Sequence, residues 1–285
     1  MPAAIDRRSV LAGLAVCALP RAARSAGATF RLGLTPVFLD NDAIVIEQLR
    51  ETFHVAMGRP IELVQRRTYQ EVTALLLDGT VDAAWLCGYP YLQHRDALRL
   101  VGVPVWRGRP LYRSYLIAAP GDAAADLAGL EGGSHAFSDP DSNSGWLVTA
   151  SDLARMGRTP EDFFGRTIFT YGHRNVVRAV ASGLTRSGSV DGYVWEVLAA
   201  VEPDLAGATR VVRKSEWLGF PPVAIRKDRA EDPLIRRFAE VLGDLPETDH
   251  GRATLRLLDL DGFIAGTPAL FDGIAARMRD VERLR

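Results

Sequence analysis

The residues best suited to bind a ligand form one segment, Asp139-Pro140-Asp141-Ser142-Asn143-Ser144-Gly145, between a predicted strand and a predicted helix. A helix start leaves backbone N–H groups without intrahelical partners at the positive end of the helix dipole. The hydroxyls of Ser142 and Ser144 and the amide of Asn143 add further donors, so the segment can bind an oxyanion without a lysine. Serine and asparagine are also the usual N-cap residues of helices, which leaves a purely structural interpretation open.

The two cysteines, Cys17 and Cys87, lie 70 residues apart, so they form neither a CxxC zinc motif nor a disulfide scaffold. Cys87 follows a predicted strand, where α/β folds deliver ligand contacts. Two interpretations stay open: a small buried residue at a strand end, or a soft ligand for a thiophilic metalloid or metal. Six aromatic residues are candidates to line a pocket, and we expect about half of them to face it. They are Trp85, Tyr89, Tyr91, Tyr193, Trp195 and Trp217.

The sequence lacks the common motifs of catalytic sites. There is no Gly-x-Ser-x-Gly nucleophile elbow, no His-Glu-x-x-His and no Gly-x-x-x-x-Gly-Lys-Ser/Thr phosphate loop. The five histidines show no metal-ligand spacing. Asp139 and Asp141 are expected to act as turn and capping residues rather than as an acid/base pair. The sequence therefore predicts no catalytic residue, no metal and no cofactor.

Composition limits the class of protein and its partners. The chain has 285 residues, of which 47% are hydrophobic, enough for one large α/β domain or two modest lobes. The 34 Lys and Arg residues nearly balance the 35 Asp and Glu residues, for a formal net charge of −1. Because this balance gives no overall positive field, we expect no nucleic-acid partner.

Residues 1–28 are expected to be an export signal that is cleaved from a periplasmic protein. Arg7 and Arg8 precede an apolar stretch of ten residues, Val10 to Leu19, which is too short to span a membrane. The paired arginines resemble a twin-arginine signal. Two alternatives stay open: a retained N-terminal helix and a lipid anchor at Cys17.

Predicted strands and helices alternate in two series, which indicates two units, each with a parallel sheet. The first series has strands at 30–34, 61–64, 81–86 and 100–105, and the second at 115–119, 134–137, 168–171 and 190–194. Helices are predicted between them, including 145–156 and 175–182, and strands at 210–214 and 223–225 lead back before a helical tail. We therefore expect one lobe from 29–112 plus 218–285, and a second from 113–217.

Four segments follow one another along the chain: Val81-Asp82-Ala83-Ala84-Trp85, the Ser138–Gly145 segment, Tyr171-Gly172-His173 and Val190-Asp191-Gly192-Tyr193. Their order resembles the phosphonate-binding family of ABC-transporter substrate-binding proteins, over about residues 30–226. The resemblance implies a two-lobed α/β fold like that of type II periplasmic binding proteins, with the ligand in the cleft between the lobes. It also implies that Ser142, Asn143 and Ser144 donate to an anion, that His173 adds a polar contact, and that Tyr69 reaches in from the first lobe.

The sequence departs from the family pattern where aminophosphonate binders carry carboxylates. Those places hold Arg174 and Gly219-Phe220-Pro221-Pro222. An ammonium group would have no evident partner there, and Arg174 would favour a second negative charge on the ligand. We add Arg174, Cys87 and Tyr193 to the predicted ligand contacts.

The resemblance implies a monomeric periplasmic solute-binding protein. Such a protein captures a small oxyanion, such as phosphonate, phosphite or phosphate, and presents it to the membrane permease of an ABC transporter without breaking a bond. One alternative is a receptor that reports its ligand, for example a thiophilic oxyanion such as arsenite, to a sensor kinase. The other is an enzyme on the same fold, similar to pyrimidine-synthesising enzymes in which a buried His or Cys reacts.

Overall fold

The computed structural model describes residues 28–36 and 43–284. Residues 1–27 of the expected export signal, with the alternative anchor at Cys17, lie outside the described residues. Within the described part of the chain, no helix is both long and apolar enough to cross a membrane.

The secondary structure follows the predicted alternation of strands and helices. The strands are β1 (Phe30–Leu34), β2 (Ile61–Gln65), β3 (Ala83–Trp85), β4 (Leu98–Val105), β5 (Leu111–Tyr112), β6 (Ser114–Ala118), β7 (Ser134–Phe137), β8 (Arg166–Phe169), β9 (Ser187–Asp191), β10 (Arg210–Lys214), β11 (Leu218–Gly219), β12 (Val223–Arg226) and β13 (Gly262–Ile264). The helices are α1 (Ala43–Met57), α2 (Tyr69–Leu77), α3 (Gly88–Gln93), α4 (Val148–Arg155), α5 (Pro160–Phe163), α6 (His173–Ala181), α7 (Gly192–Val201), α8 (Pro203–Gly207), α9 (Pro233–Gly243), α10 (Asp249–Leu257) and α11 (Asp272–Leu284). The prediction missed β5, β11, β13, α5 and α8, which are too short to show a hydrophobic period.

Two separate sheets give the molecule its two lobes. The first sheet has the order β13-β4-β12-β3-β1-β2, and the second has the order β10-β6-β9-β7-β8. Parallel pairs β1·β2 and β1·β3 lie in the first sheet, and β7·β8 and β7·β9 lie in the second. Between the sheets, the two crossing segments pair as the antiparallel strands β5 and β11. The predicted two-lobed fold, with strand ends that open on a cleft, is confirmed.

Each lobe is built around aromatic packing. In the first lobe, the ring centroids of Phe30 and Phe238 are 4.6 Å apart. In the second lobe, the buried ring of His135 stacks on Phe164 with a centroid distance of 4.3 Å. The two ring nitrogens of His135 lie 2.8 Å and 2.9 Å from the hydroxyls of Ser187 and Ser189. Burial lowers the pKa of His135 to about 3, so this ring is a neutral core residue.

Two predicted boundaries are corrected where polar side chains cap helices. The strand expected at 190–194 ends at Asp191, because the Asp191 carboxylate accepts the N–H groups of Tyr193 and Val194 and starts α7. The helix expected at 145–156 begins instead as a π-helical turn, Asn143–Leu147, that continues into α4.

The C-terminal helix α11 contacts both lobes. Arg277, which is 1% exposed, donates to the carbonyl oxygen of Val148, to Asp152 and, through two nitrogens, to Glu216. Just before α11, Phe271 packs on Tyr91 of α3, with a centroid distance of 5.2 Å. The lobe boundaries at 112/113 and 217/218 therefore stay a proposal, in which α11 spans the two lobes.

Candidate functional site

Five polar residues that border the cleft lie at the starts of helices. Tyr69 is the first residue of α2, and His173 is the first residue of α6. Cys87, Ser142 and Asp191 are the N-cap residues before α3, the π-helical turn and α7. All five are nearly or fully buried. The strand-to-helix connections therefore deliver these side chains to one place.

Tyr69 and His173 connect the two lobes through a hydrogen bond. The Tyr69 hydroxyl lies 3.1 Å from His173 Nε2, and His173 Nδ1 accepts the backbone N–H of Asp191 at 3.1 Å. Burial lowers the pKa of His173 to about 3, so the ring is neutral and carries one proton. Because Nδ1 accepts, that proton is on Nε2 and is donated to the Tyr69 oxygen. The hydroxyl proton of Tyr69 is then free to be donated to a ligand.

The segment that contains Ser142 to Gly145 is held by its own hydrogen bonds. The Ser142 hydroxyl oxygen accepts the Gly145 N–H at 3.0 Å, which satisfies the predicted cap and leaves the O–H proton of Ser142 to donate. Asn143 Nδ2 donates to the Tyr112 hydroxyl at 2.8 Å, and the side chain of Ser144 also hydrogen-bonds to Tyr112. A Cβ at position 145 would lie 1.8 Å from the hydroxyl oxygen of Ser138, so only glycine fits there.

Two further hydrogen bonds join the lobes at the cleft. The backbone N–H of Asn143 donates to Cys87 Sγ at 3.2 Å. The backbone N–H of Tyr69 donates to Asp139 Oδ2 at 3.1 Å, while Asp139 Oδ1 accepts the Asp141 N–H at 2.8 Å. Asp139 is thus a turn and capping residue, as predicted. Burial raises the pKa of Cys87 to about 12, so its sulfur is a thiol at neutral pH and accepts a hydrogen bond.

Two predicted ligand contacts have partners outside this group. Arg174 NH2 is 2.5 Å from Glu202 Oε1. The Tyr193 hydroxyl donates to the Leu258 carbonyl oxygen, and its ring packs on Phe220 with a centroid distance of 5.0 Å. Successive residues of a helix point about 100° apart, so a residue next to a cleft residue faces another direction. Arg174 and Tyr193 thus have partners outside this group, and their contacts with a ligand stay predictions.

Most of the six aromatic candidates have packing partners outside the group at the cleft. Tyr89 is the one that stacks across the lobes, on Trp146, with centroids 6.2 Å apart and planes 14° apart. Trp85 Nε1 donates to the carbonyl oxygen of Pro221, and Trp195 Nε1 donates to the hydroxyl of Thr209. Tyr91 packs on Phe271, and Tyr193 packs on Phe220. The guanidinium groups of Arg109 and Arg113 lie over the Trp217 ring. The expectation that about half of them line the cleft stays a prediction.

Three residues at the site were not predicted. Tyr112 contacts both Asn143 and Ser144, and Ser114 Oγ donates to the Ser144 carbonyl oxygen at 2.6 Å. Both lie on the crossing segment, whose position only the tertiary structure fixes. Asp191 is 2% exposed, and burial raises its pKa to about 7. Its signal was present in the sequence, because Asp191 lies in one of the four segments that carry the family resemblance.

The chemistry of these residues is that of a binding site. Hydroxyl, amide and backbone N–H donors converge on the cleft, and an anion is the ligand that such donors stabilise. Across the described ranges, no group of three or more His, Cys, Asp and Glu residues could hold a metal ion.

The sequence and the fold both match known proteins. Residues 33–271 match the family described as ABC transporter, phosphonate, periplasmic substrate-binding protein. A binding-protein component of an ABC phosphonate transporter from Pseudomonas aeruginosa has a TM-score of 0.81 and 18% identity, over 90% of this chain and 87% of that chain. A Prochlorococcus marinus protein in complex with methylphosphonate has a TM-score of 0.77 and 14% identity, over 90% and 98%. A Xanthomonas citri protein bound to chloride has a TM-score of 0.71 and 19% identity, also over 90% and 98%.

At these identities the solved structures show the fold, whereas the family match covers most of the sequence. It confirms the family that the order of the four sequence segments indicated. The chain belongs to the family of periplasmic substrate-binding proteins of phosphonate ABC transporters.

Proposed function

We propose that this protein is exported to the periplasm, captures a small tetrahedral oxyanion of the phosphonate, phosphite or phosphate class, and presents it to a membrane permease. The observation that carries the proposal is the set of uncharged hydroxyl and amide donors that borders the cleft, with Tyr69 from the first lobe and Ser142 and Asn143 from the second. The methylphosphonate in the Prochlorococcus marinus relative supports the same class of ligand.

We assign the direct contacts to an oxyanion cradle, defined as Tyr69, Tyr112, Ser142, Asn143 and Ser144. Among the described residues of the cradle, Tyr69 and Ser142 have hydroxyl protons that the hydrogen-bond pattern leaves free to donate. Several donors that share a buried anion stabilise it without a neighbouring cation, because hydrogen bonds to a charged group are the strong ones.

The other contacts of the site act on the cradle rather than on the ligand. His173 positions the Tyr69 hydroxyl, since both of its ring nitrogens already have partners. Cys87 holds the Asn143 backbone from the opposite lobe. Because these contacts join the lobes, we propose that ligand capture stabilises the state in which the lobes are together, and that this state is presented to the permease.

The test is a thermal-shift and calorimetry series on the purified mature protein with methylphosphonate, phosphite, phosphate and sulfate. A ligand bound only by the folded state, at 100 times its Kd, stabilises the protein by about 2.7 kcal/mol. We expect saturable stabilisation by at least one phosphorus oxyanion and unchanged ligand by phosphorus NMR after prolonged incubation. No stabilisation by any of the three phosphorus compounds, or their turnover, would contradict the proposal.

A further inference from the structure

The C-terminal helix α11 is joined to the second lobe by hydrogen bonds. Arg277 is 1% exposed and donates to the Val148 carbonyl oxygen at 3.0 Å and to the Asp152 carboxylate at 2.9 Å. About one turn further along α11, the Asp280 carboxylate accepts the Ser151 hydroxyl at 3.0 Å. Val148, Ser151 and Asp152 all belong to α4. Because hydrogen bonds are directional, they fix α11 in one position on α4.

The start of α11 packs on the first lobe through apolar groups. Phe271 and Ile274 are fully buried, and Phe271 lies against Tyr91 of α3. A Cβ at Gly88, the first residue of α3, would lie 2.6 Å from Ile274 Cδ1 and 3.0 Å from Phe271 Cδ1. The absence of a side chain at Gly88 therefore lets α3 and α11 approach this closely.

The two contacts are too close together on α11 to be kept when the lobes separate. Ile274 and Arg277 are three residues apart, about 4.5 Å along the helix axis. A helix this short does not stretch, so α11 loses one contact when α3 and α4 move apart. Apolar contacts are non-directional, and parting them leaves no polar group without its partner. Parting α11 from α4 would instead separate the nearly buried charges of Arg277 and Asp152. The contact with α3 therefore opposes the separation less.

We propose that Phe271 and α11 form a strap that moves with the second lobe and keeps the ligand-free lobes mostly closed. Lobe opening parts Phe271 and Ile274 from Gly88 and leaves Arg277 on α4. The fit of the strap against Gly88 then sets the balance between open and closed lobes, from outside the oxyanion cradle. This goes beyond the proposed function, because it concerns the movement of the lobes and can be tested without a ligand.

The test measures how fast iodoacetamide labels Cys87 in the ligand-free mature protein, with the adduct located by mass spectrometry. Cys87 is the free cysteine in the part of the chain that the structure describes. It is 4% exposed and accepts the Asn143 N–H from the opposite lobe, so closed lobes protect it. Labelling through lobe opening depends weakly on urea, because little surface is exposed, whereas labelling through global unfolding has the urea dependence of unfolding. A wild-type thiol that is labelled as fast as the unfolded chain would overturn the inference.

Gly88→Ala is the variant that strains the contact of the strap with α3. Gly88 is not among the glycines with positive φ, so the backbone accepts alanine, and its methyl group meets Ile274 and Phe271 only while the lobes are closed. Overpacking a filled contact disfavours it by about tenfold, equivalent to about 1.4 kcal/mol. We therefore expect Cys87 to be labelled about tenfold faster, with the weak urea dependence of lobe opening. A rate within about twofold of the wild type, or one with the urea dependence of global unfolding, would contradict the proposal.

Three control variants assign the effect to the strap. Gly207→Ala, in α8, adds a methyl group with no other group of the described chain within 4 Å and should keep the wild-type rate. Gly88→Ala combined with Ile274→Val removes the Cδ1 atom that the new methyl group meets, so labelling should slow again. If it does not, the change acts on the neighbouring Cys87 and the inference is wrong. Ser151→Ala weakens the contact with α4, which persists in both states, and should leave the rate unchanged. Faster labelling of this variant would assign α11 to the first lobe instead.

A ligand titration separates this inference from the proposed function. Because the ligand-free lobes are mostly closed, Gly88→Ala should raise the Kd for methylphosphonate by a smaller factor than it raises the labelling rate. A raised Kd with unchanged labelling would mean that the substitution disturbs the oxyanion cradle, and would overturn the inference. If the wild type binds no oxyanion of the panel while the labelling rates are as expected, the proposed function fails and the strap stands.

Discussion

Replacing Tyr69 with phenylalanine tests the central feature of the site, the hydroxyl proton that His173 leaves free. The ring of Tyr69 is 3% exposed and would keep its packing, so Tyr69→Phe removes only the oxygen that is 3.1 Å from His173 Nε2. A hydrogen bond to a charged ligand contributes about 1.5–3 kcal/mol, so the Kd should rise about 10- to 150-fold. The buried Nε2–H of His173 also loses its acceptor, which should lower the free energy of unfolding by about 1–3 kcal/mol.

The assay is calorimetric titration with the tightest oxyanion of the panel, together with urea unfolding of the same preparation. Tyr115→Phe is the control, because the Tyr115 hydroxyl donates to Glu196 at 2.7 Å, outside the cradle. It removes a similar hydroxyl and should leave the Kd unchanged. If Tyr69→Phe binds the oxyanion within about twofold of the wild type, the derived orientation of the hydroxyl proton is wrong.

Three further results are expected. Replacing both Ser142 and Ser144 with alanine should cost on the order of 1 kcal/mol of stability for the lost cap and weaken oxyanion affinity at least about tenfold; a loss of stability with intact affinity would leave these serines as caps only. The folded pKa of His135 is about 3, below the unfolded value, so its contribution to stability is complete above about pH 6.5 and is lost as the pH falls. From pH 8 to pH 5 this loss amounts to about 2 kcal/mol, and His135→Gln should remove that part of the pH dependence in urea unfolding; superimposable pH profiles would refute the buried neutral ring. Arg277→Met should lower the free energy of unfolding by about 3 kcal/mol, because it leaves the carboxylates around this 1%-exposed guanidinium without their partner. Arg252→Ala breaks an exposed ion pair and should lower the free energy of unfolding far less. Thermal unfolding of the two variants makes this comparison.

Local sequence patterns were sufficient to predict most of the fold. The predicted alternation of strands and helices is found in the structure as two sheets, because the apolar residues of each predicted element form a face that is buried. The predicted ends of elements were wrong where the apolar pattern continues but a polar side chain ends one element and caps the next. The run from Val190 to Val194 is an example: Asp191 ends the strand and caps α7.

The structure brings together only some of the predicted ligand contacts, for a physical reason. Arg174 and Tyr193 are neighbours of cleft residues in sequence, but rotation along a helix carries their side chains to Glu202 and Leu258. Tyr112 was not predicted, because no residue near it in sequence indicates a site.

The sequence by itself determined the family, the two-lobed α/β class and the segment around Ser142 and Ser144, because these depend on residue types at short spacing. Only the tertiary structure decided which donors are free to bind. Tyr69 and His173 are 104 residues apart, and their hydrogen bond places the ring proton on Nε2 and frees the Tyr69 hydroxyl. The same is true of the charge at the site, because burial in the folded protein raises the pKa of Asp191.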